Sequence, residues 1–322
     1  MQMKKIEIEA LVRSQQSVDK VKTTNRIRLQ GGHAPHCKHL AGVRVPPSAS
    51  RRRERTRPIV GKPRFFDGLT EALALPKEIA DIVGGAPLFD SSCSAEARTV
   101  FADRDRGIFL KIAPRGRLAD DAVMTEYLHR KGLSARVLAY HTLDRDYLLT
   151  EKIPGEDGIS PRCLAGPKKL CRVLADSLRR LHETDFSDCP RPDRLREIFA
   201  DMEEKHPRGA VDADLLEFIG VEGRETAYET LKKHGGNLQS DALIHGDSCL
   251  PNILIQDWRF SGFIDVGYGG VCDRHYDLFW SAWSLLYNLK TDRYRTYFLD
   301  CYGRESFDEE RFRLCGMLAA LT

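Results

Sequence analysis

No Cys-x-x-Cys pair occurs in this chain, and its nine cysteines are an odd number among 322 residues. That pattern argues against a disulfide framework or a zinc site and points to a reducing cytosol. No apolar run approaches the roughly 20 residues that cross a bilayer, and no signal-peptide pattern opens the chain. These absences lead to the expectation of a soluble, cytoplasmic protein with no membrane partner. No internal repeat is found. Residues 1–60 are poor in aromatics, carry Pro46-Pro47 and the run Arg51-Arg-Arg-Glu-Arg-Thr-Arg57, and cannot bury enough apolar surface to fold alone.

Charge is divided unevenly. The first sixty residues hold 14 Lys or Arg against 4 Asp or Glu, a balance of +10, and the remainder balances to −7. An acidic body suits a polycationic substrate, whose approach it would steer, and does not suit nucleic acid. The basic segment could bind RNA or anionic lipid, or be a plain solvated extension. The expected division is a basic, disordered extension over 1–61, a smaller part over 62–153 and a larger part over 154–322.

Periodicity gives the elements. Pro76–Val83 reads as a helix stopped by Gly84-Gly85. Ala97–Ala102 and Gly107–Ile112 read as strands joined at Asp103–Gly107. Asp120–Lys131 is an amphipathic helix ended by Gly132. Arg136–Tyr140 and Asp146–Glu151 are further strands, and Pro154-Gly155 marks a hinge. Beyond it the chain turns helical, with Lys168–Thr184 amphipathic and Asp273–Leu289 apolar all round, as a buried helix would be. The fold class expected is α+β.

The densest chemistry lies in Leu243–Ile255 followed by Gly262–Gly267. Asp247 and Asn252 are five apart and Asp265 follows Asn252 by thirteen, on two short apolar runs. Phosphoryl transfer needs such groups: one carboxylate to orient the attacking hydroxyl, and an amide oxygen plus a second carboxylate to hold magnesium on the phosphates. The turn Gln256–Gly262 would let the runs pair as a hairpin. His245 is expected to hold the loop by hydrogen bonds. Asp277, and with it Asp273, could brace the loop; Asp273 could equally be a helix N-cap.

The stretches Phe109-Leu-Lys-Ile-Ala113, His245-Gly-Asp-Ser-Cys-Leu-Pro-Asn252, Ser261-Gly-Phe-Ile-Asp265 and Asp273-Arg-His-Tyr-Asp277 resemble the aminoglycoside phosphotransferases, most closely the 3′-phosphotransferases, over about residues 64 to 322. The resemblance implies a two-lobed protein-kinase-like fold, with a small β-rich lobe and a larger helical one, and ATP and Mg²⁺ as cofactors. It implies that Asp247 is catalytic, that Asn252 and Asp265 bind the metal, and that Lys111 reaches the phosphates while Glu126 fixes it. It also implies that Phe109 stacks on adenine (ordinary core being the alternative) and that backbone groups of Glu151 and Ile153 receive the adenine edge. Ser94 matches a serine of the phosphate-covering loop. Here that loop, Asp90–Glu96, contains no glycine, and a plain polar turn fits it nearly as well.

The acceptor side matches less. Carboxylates for a polyamine sugar would come from Asp212, Asp214, Glu217 and Glu222, each of which could as well be a solvated surface charge. Relatives often end in an acidic pair and an aromatic, where this chain has Met317-Leu-Ala-Ala-Leu-Thr322. Many carry an arginine three residues past the metal-binding aspartate, where Tyr268 stands, and another on the next helix, near Trp283. The expected activity is phosphorylation of an aminoglycoside of kanamycin or neomycin type at its 3′-hydroxyl. A same-fold kinase for choline, a sugar amine or a macrolide, and an inactive nucleotide-binding protein with a working basic tail, stay open. A regulatory protein kinase fits poorly, because no Ala-Pro-Glu-like anchor follows the metal-binding aspartate.

Overall fold

The computed structural model describes residues 64–65, 75–92, 97–209 and 211–322. Residues 1–63, which include the basic segment, and Ser94 lie outside them. The described residues begin in a six-stranded antiparallel sheet in the order β1-β2-β3-β4-β6-β5. Its strands are β1 (Arg64–Phe65), β2 (Leu88–Asp90), β3 (Arg98–Ala102), β4 (Ile108–Pro114), β5 (Val137–Thr142) and β6 (Arg145–Glu151), with α1 (Lys77–Val83) before β2 and α2 (Ala119–Arg130) between β4 and β5. The two-residue period of a strand sorts β4 cleanly. Ile108, Leu110 and Ile112 enter a core with Ile79, Val83, Val100 and Leu149. Phe109 and Lys111 take the opposite, mostly covered face.

After Gly155 (φ +111°), where a Cβ would sit 2.6 Å from the Ile255 carbonyl oxygen, the structure is mostly helical. It runs β7 (Glu156–Asp157), α3 (Pro161–Ala165), α4 (Pro167–His182), α5 (Arg194–Lys205), α6 (Ala213–Phe218), α7 (Arg224–His234), β8 (Ala242–Ile244), β9 (Ile253–Gln256), β10 (Arg259–Phe263), β11 (Gly270–Cys272), α8 (Arg274–Leu289), α9 (Arg295–Tyr302) and α10 (Glu309–Ala320). One large core gathers Leu170, Leu174, Leu178 and Leu181 of α4, Phe279 and Trp280 of α8, and Phe312 and Leu318 of α10. Asp273 caps α8 by accepting from the His275 amide, so of its two expected roles the cap is the one observed. Among the described residues no helix is long and apolar enough to cross a membrane.

Two local expectations are corrected. The runs on either side of the turn pair as a hairpin, β9 with β10, but the earlier part of the first run, β8, pairs with β11, and β9 also pairs with β7. The hairpin turn is shorter than Gln256–Gly262, because Gln256 and Arg259 already face each other in register. Asp257 and Trp258 alone make it, both at positive φ (48° and 59°), the geometry a two-residue hairpin loop demands and usually fills with Asn-Gly. The Trp258 ring is seated on Gly166, where a Cβ would lie 2.4 Å from it. Separately, Cys163, Cys171, Cys189, Cys272, Cys301 and Cys315 are free thiols, but Cys249 is disulfide-bonded, contrary to the reading of the cysteine pattern.

Candidate active site

The loop between β8 and β9 is shaped by helix α8 behind it. Asp277, Ser281 and Ser284 recur at helical spacing and so line one face. Asp277 accepts the amides of His245 (2.7 Å) and Gly246 (2.9 Å). Ser281 donates to the Ser248 carbonyl at 2.8 Å. The Ser284 hydroxyl accepts the Leu250 amide at 3.0 Å. Ser248 closes the set by donating to the carbonyl of Asp277 (2.7 Å). Three buried side chains thus fix a loop that would otherwise leave its amides unsatisfied. Asp277 is the brace; neither serine was singled out from the sequence, although their spacing from Asp277 was visible there.

Within the loop, His245 works as a neutral strut. Its Nε2 meets the carbonyl oxygen of Ile264 at 3.0 Å, and its Nδ1 accepts the Asp247 amide at 3.2 Å. The two contacts together require the Nε2–H tautomer. Burial pushes the imidazole pKa below its ordinary value, outweighing the pull of Asp277 and the Ile264 carbonyl. Gly246, at φ +81°, lies so close to the Tyr268 carbonyl that a Cβ would be 2.2 Å from its oxygen.

Asp247 is fully buried and Asn252 nearly so. The Asn252 amide nitrogen donates to the Asp247 carbonyl (2.9 Å), which leaves its oxygen as the group's acceptor. The Asn252 carbonyl in turn accepts the amide of Ile264 (3.0 Å). Ile264 is therefore gripped on both sides, by Asn252 and by His245, and the next residue is Asp265. Asp265 holds a left-handed backbone, φ 57° and ψ 47°, which costs a non-glycine residue about 1–2 kcal/mol. Such strain persists only where surrounding contacts impose it.

Lys111 completes the group from the sheet. Its Nζ donates to Asp265 Oδ1 and Asp121 Oδ2, both at 2.7 Å. Burial alone would lower the ammonium pKa; the two carboxylates more than reverse this and hold it above the ordinary lysine value. The expected partner was Glu126, and this is corrected: the helical carboxylate on Lys111 is Asp121. The two positions are five apart, so at about 100° per residue they point about 140° away from each other. Asp121 faces inward with Met124, Thr125 and Leu128, whereas Glu126 is partly exposed. The acidic pair Asp120-Asp121 in the first turn of α2 was the missed signal.

The remaining expected residues fall as follows. Phe109 lies on the face of Lys111 with its ring 5.2 Å from that of Phe101. The Glu151 amide is taken by the Arg136 carbonyl (2.9 Å), whereas Ile153 makes no hydrogen bond to another described residue. Ile153 packs over Gly262, where a Cβ would sit 2.7 Å from its Cδ1. Ser92 is engaged with the backbone of Thr99 across the β2–β3 turn. Asp212 caps α6 by accepting the Leu215 amide (3.3 Å). Asp214, Glu217 and Glu222 are exposed; the last two border an open cleft of about 360 Å³ with Leu216, Val221 and Arg224. That cleft shares no residue with the Lys111–Asp265 group.

The donor set fits magnesium. Among the described residues no cluster of three or more His, Cys, Asp or Glu could hold a metal. An amide oxygen at Asn252 and a partly exposed carboxylate at Asp265 are hard oxygen ligands, and magnesium is commonly held by one or two such groups with phosphates and waters completing its shell.

Comparison with known proteins places the chain in a family. The model of a family described as "Phosphotransferase enzyme family" matches residues 93–315. A probable aminoglycoside 3′-phosphotransferase of Lactococcus lactis is 39% identical over 242 residues, covering 75% of this chain and 92% of that protein. An aminoglycoside 3′-phosphotransferase of Niallia circulans is 30% identical over 248 residues, covering 74% and 94%. Among solved structures, an aminoglycoside phosphotransferase of Streptomyces rimosus superposes with a TM-score of 0.64 at 24% identity, covering 80% of this chain and 99% of that one; a structure of that protein holds ADP and streptomycin. The fold is therefore protein-kinase-like. The chain belongs to the phosphotransferase enzyme family and is a phosphotransferase with an alcohol group as acceptor.

Proposed function

We propose that this enzyme transfers the γ-phosphoryl group of ATP, with Mg²⁺, to the 3′-hydroxyl of an aminoglycoside of the kanamycin or neomycin type, and so confers resistance to it in the cytoplasm. The observation that carries this reading is the continuous set of contacts from Asp247 through Asn252 and Ile264 to Asp265, and from Asp265 to Lys111. Positioning and electrostatics supply most of the catalysis in phosphoryl transfer, and this is an array built to position. The 39% identity to a probable aminoglycoside 3′-phosphotransferase supports the acceptor. The proposed division of labour follows the chain, with 62–153 holding the nucleotide and 154–322 the acceptor.

In this reading Asp247 orients the acceptor hydroxyl and takes its proton as the oxygen–phosphorus bond forms and the bond from γ-phosphorus to the ADP oxygen breaks. Lys111, fixed by Asp121, binds the α- and β-phosphates, and Phe109 and the free Ile153 amide meet adenine. Asn252 and Asp265 would hold the metal, which when bound supplies neutralisation of charge on the transferring group.

The test is ADP release by the purified enzyme over a panel of kanamycin, neomycin, streptomycin, choline and a macrolide, with parallel expression in a sensitive host. Kanamycin or neomycin turnover with host resistance is expected. Turnover of choline or the macrolide alone overturns the acceptor. Asp247→Ala should lower turnover by about 10²–10⁴-fold, the range for loss of a positioned general base, with ADP affinity kept. Near-normal turnover in that variant overturns the role of Asp247.

A further inference from the structure

Two arginines outside the phosphate-handling set converge on the turn that follows Asp265. Arg191 lies between α4 and α5, and Arg194 opens α5. Arg191 Nη1 donates to the carbonyl of Gly267 at 2.6 Å, and Arg194 Nε donates to the carbonyl of Tyr268 at 2.9 Å. Both side chains are mostly buried, at 11% and 15% exposure, and share Glu197 as counter-ion. Burial would raise the Glu197 pKa, but the two guanidinium groups outweigh it and hold the carboxyl below its ordinary value. The guanidinium groups are thus held largely out of solvent, while the Glu197 carboxylate they share stays partly exposed.

The cluster also reaches the first turn of α2. The same Nη1 of Arg191 stands 3.6 Å from Asp120 Oδ2, and Asp120 precedes the carboxylate that holds Lys111. The turn touches α2 directly, since a Cβ on Gly267 would lie 3.1 Å from the Asp121 Cβ. The backbone of Arg191 is fixed as well: its carbonyl accepts the Val271 amide at 2.9 Å. Gly270 permits that approach, because a Cβ there would sit 2.7 Å from the Arg194 Cβ and 2.8 Å from the Arg191 carbonyl oxygen.

We propose that Arg191, seconded by Arg194, is a positioning residue for the metal-side aspartate: it clamps the turn after Asp265 against the start of α2, so that the two carboxylates on Lys111 keep their spacing. The inference rests on the reading of Asp265 as a magnesium ligand. The left-handed backbone of Asp265 gives the clamp its purpose, since a strained residue relaxes unless its flank is held. Charge-assisted donation to two successive carbonyls is a stiff way to hold it, and lysine, lacking the planar fork, replaces it poorly.

Equilibrium ADP binding to the full chain, by calorimetry with and without Mg²⁺, tests the proposal without turnover. Groups supporting a metal ligand usually contribute about 10–100-fold to metal affinity. Arg191→Ala should reduce the gain in ADP affinity that Mg²⁺ confers by about tenfold, a larger change than in the Mg²⁺-free affinity. Arg191→Lys should give an intermediate loss, and serves where the alanine variant fails to fold. Asp265→Ala should remove the gain altogether. If Asp265→Ala removes the gain while Arg191→Lys and Arg191→Ala keep it, the clamp is refuted and the metal reading stands. If Asp265→Ala keeps the gain, the metal reading falls and the clamp with it.

Discussion

The loop that carries Asp247 and the segment that carries Asp214, Glu217 and Glu222, proposed to meet the acceptor, are built to opposite standards. The first is buried, and its amides at His245, Gly246 and Leu250 are each taken by a side chain of α8. The second presents exposed carboxylates on a short helix and the turn after it, and its one well-engaged acid, Asp212, is spent on a helix cap. Transferring a phosphoryl group leaves little freedom in where the groups stand. Choosing an alcohol leaves much more, and many arrangements of surface carboxylates attract a polycation. The contrast predicts that substitutions under the loop are severe and specific, whereas those on the acceptor side are graded.

The sharpest way to break the comparison is Asp277→Ala. Asp277 is completely buried and accepts two loop amides as well as facing His182 Nε2 at 3.2 Å. Removing it strands two buried N–H groups at about 1–3 kcal/mol each, so a loss of roughly 3–5 kcal/mol is expected by urea denaturation. Turnover should collapse in the fraction that stays folded. A variant with wild-type stability and turnover would mean that α8 is not what shapes the loop.

This difference also explains what could be read from the sequence. Lys111 was legible because an alternating strand exposes its polar side chain among apolar neighbours, and Asp247, Asn252 and Asp265 because their types and spacing are chemically restricted. Asp277 was legible as a brace for the same reason. Asp121 was not, because two candidate carboxylates lie on one helix and only its rotation decides between them. Arg191 and Arg194 were not, because their partners are backbone carbonyls more than seventy positions away, which leave no trace in side-chain pattern. The short turn at Asp257-Trp258 escaped because Trp258 stands where glycine is the usual second residue at positive φ, and the ring that fixes it rests on Gly166, far off in sequence.

His245 allows the loop to be probed more gently. Its pKa is lowered in the folded state by burial, whereas in the unfolded chain it should titrate near the ordinary 6.5. Below that value the unfolded chain takes up a proton that the folded protein resists, so this group favours unfolding progressively as pH falls from about 6.5 toward the depressed folded value. At pH 7.5 and above both states are neutral here and the contribution vanishes. His245→Gln, measured by thermal unfolding from pH 8 to pH 5, should lie below wild type at pH 8, having lost a strut. The gap should narrow on acidification. A gap that stays constant across the range would show that the imidazole titrates alike in both states.

The smallest expected effect lies at the cleft proposed to take the acceptor. Glu217 and Glu222 border it with Arg224, and both are exposed, so water and salt screen any attraction between them and a cationic sugar. An exposed charge contact contributes about 0–1 kcal/mol, which corresponds to no more than about fivefold in affinity at 1.4 kcal/mol per factor of ten. Glu217→Gln and Glu222→Gln, each made singly, should therefore raise the KM for kanamycin or neomycin by no more than about fivefold, leave kcat and the ATP KM unchanged, and lose even that difference in 0.5 M salt. A loss of a hundredfold would instead mean that these carboxylates close on the drug and are desolvated by it. The acceptor side would then be as exacting as the loop, and the contrast between the two regions would be false.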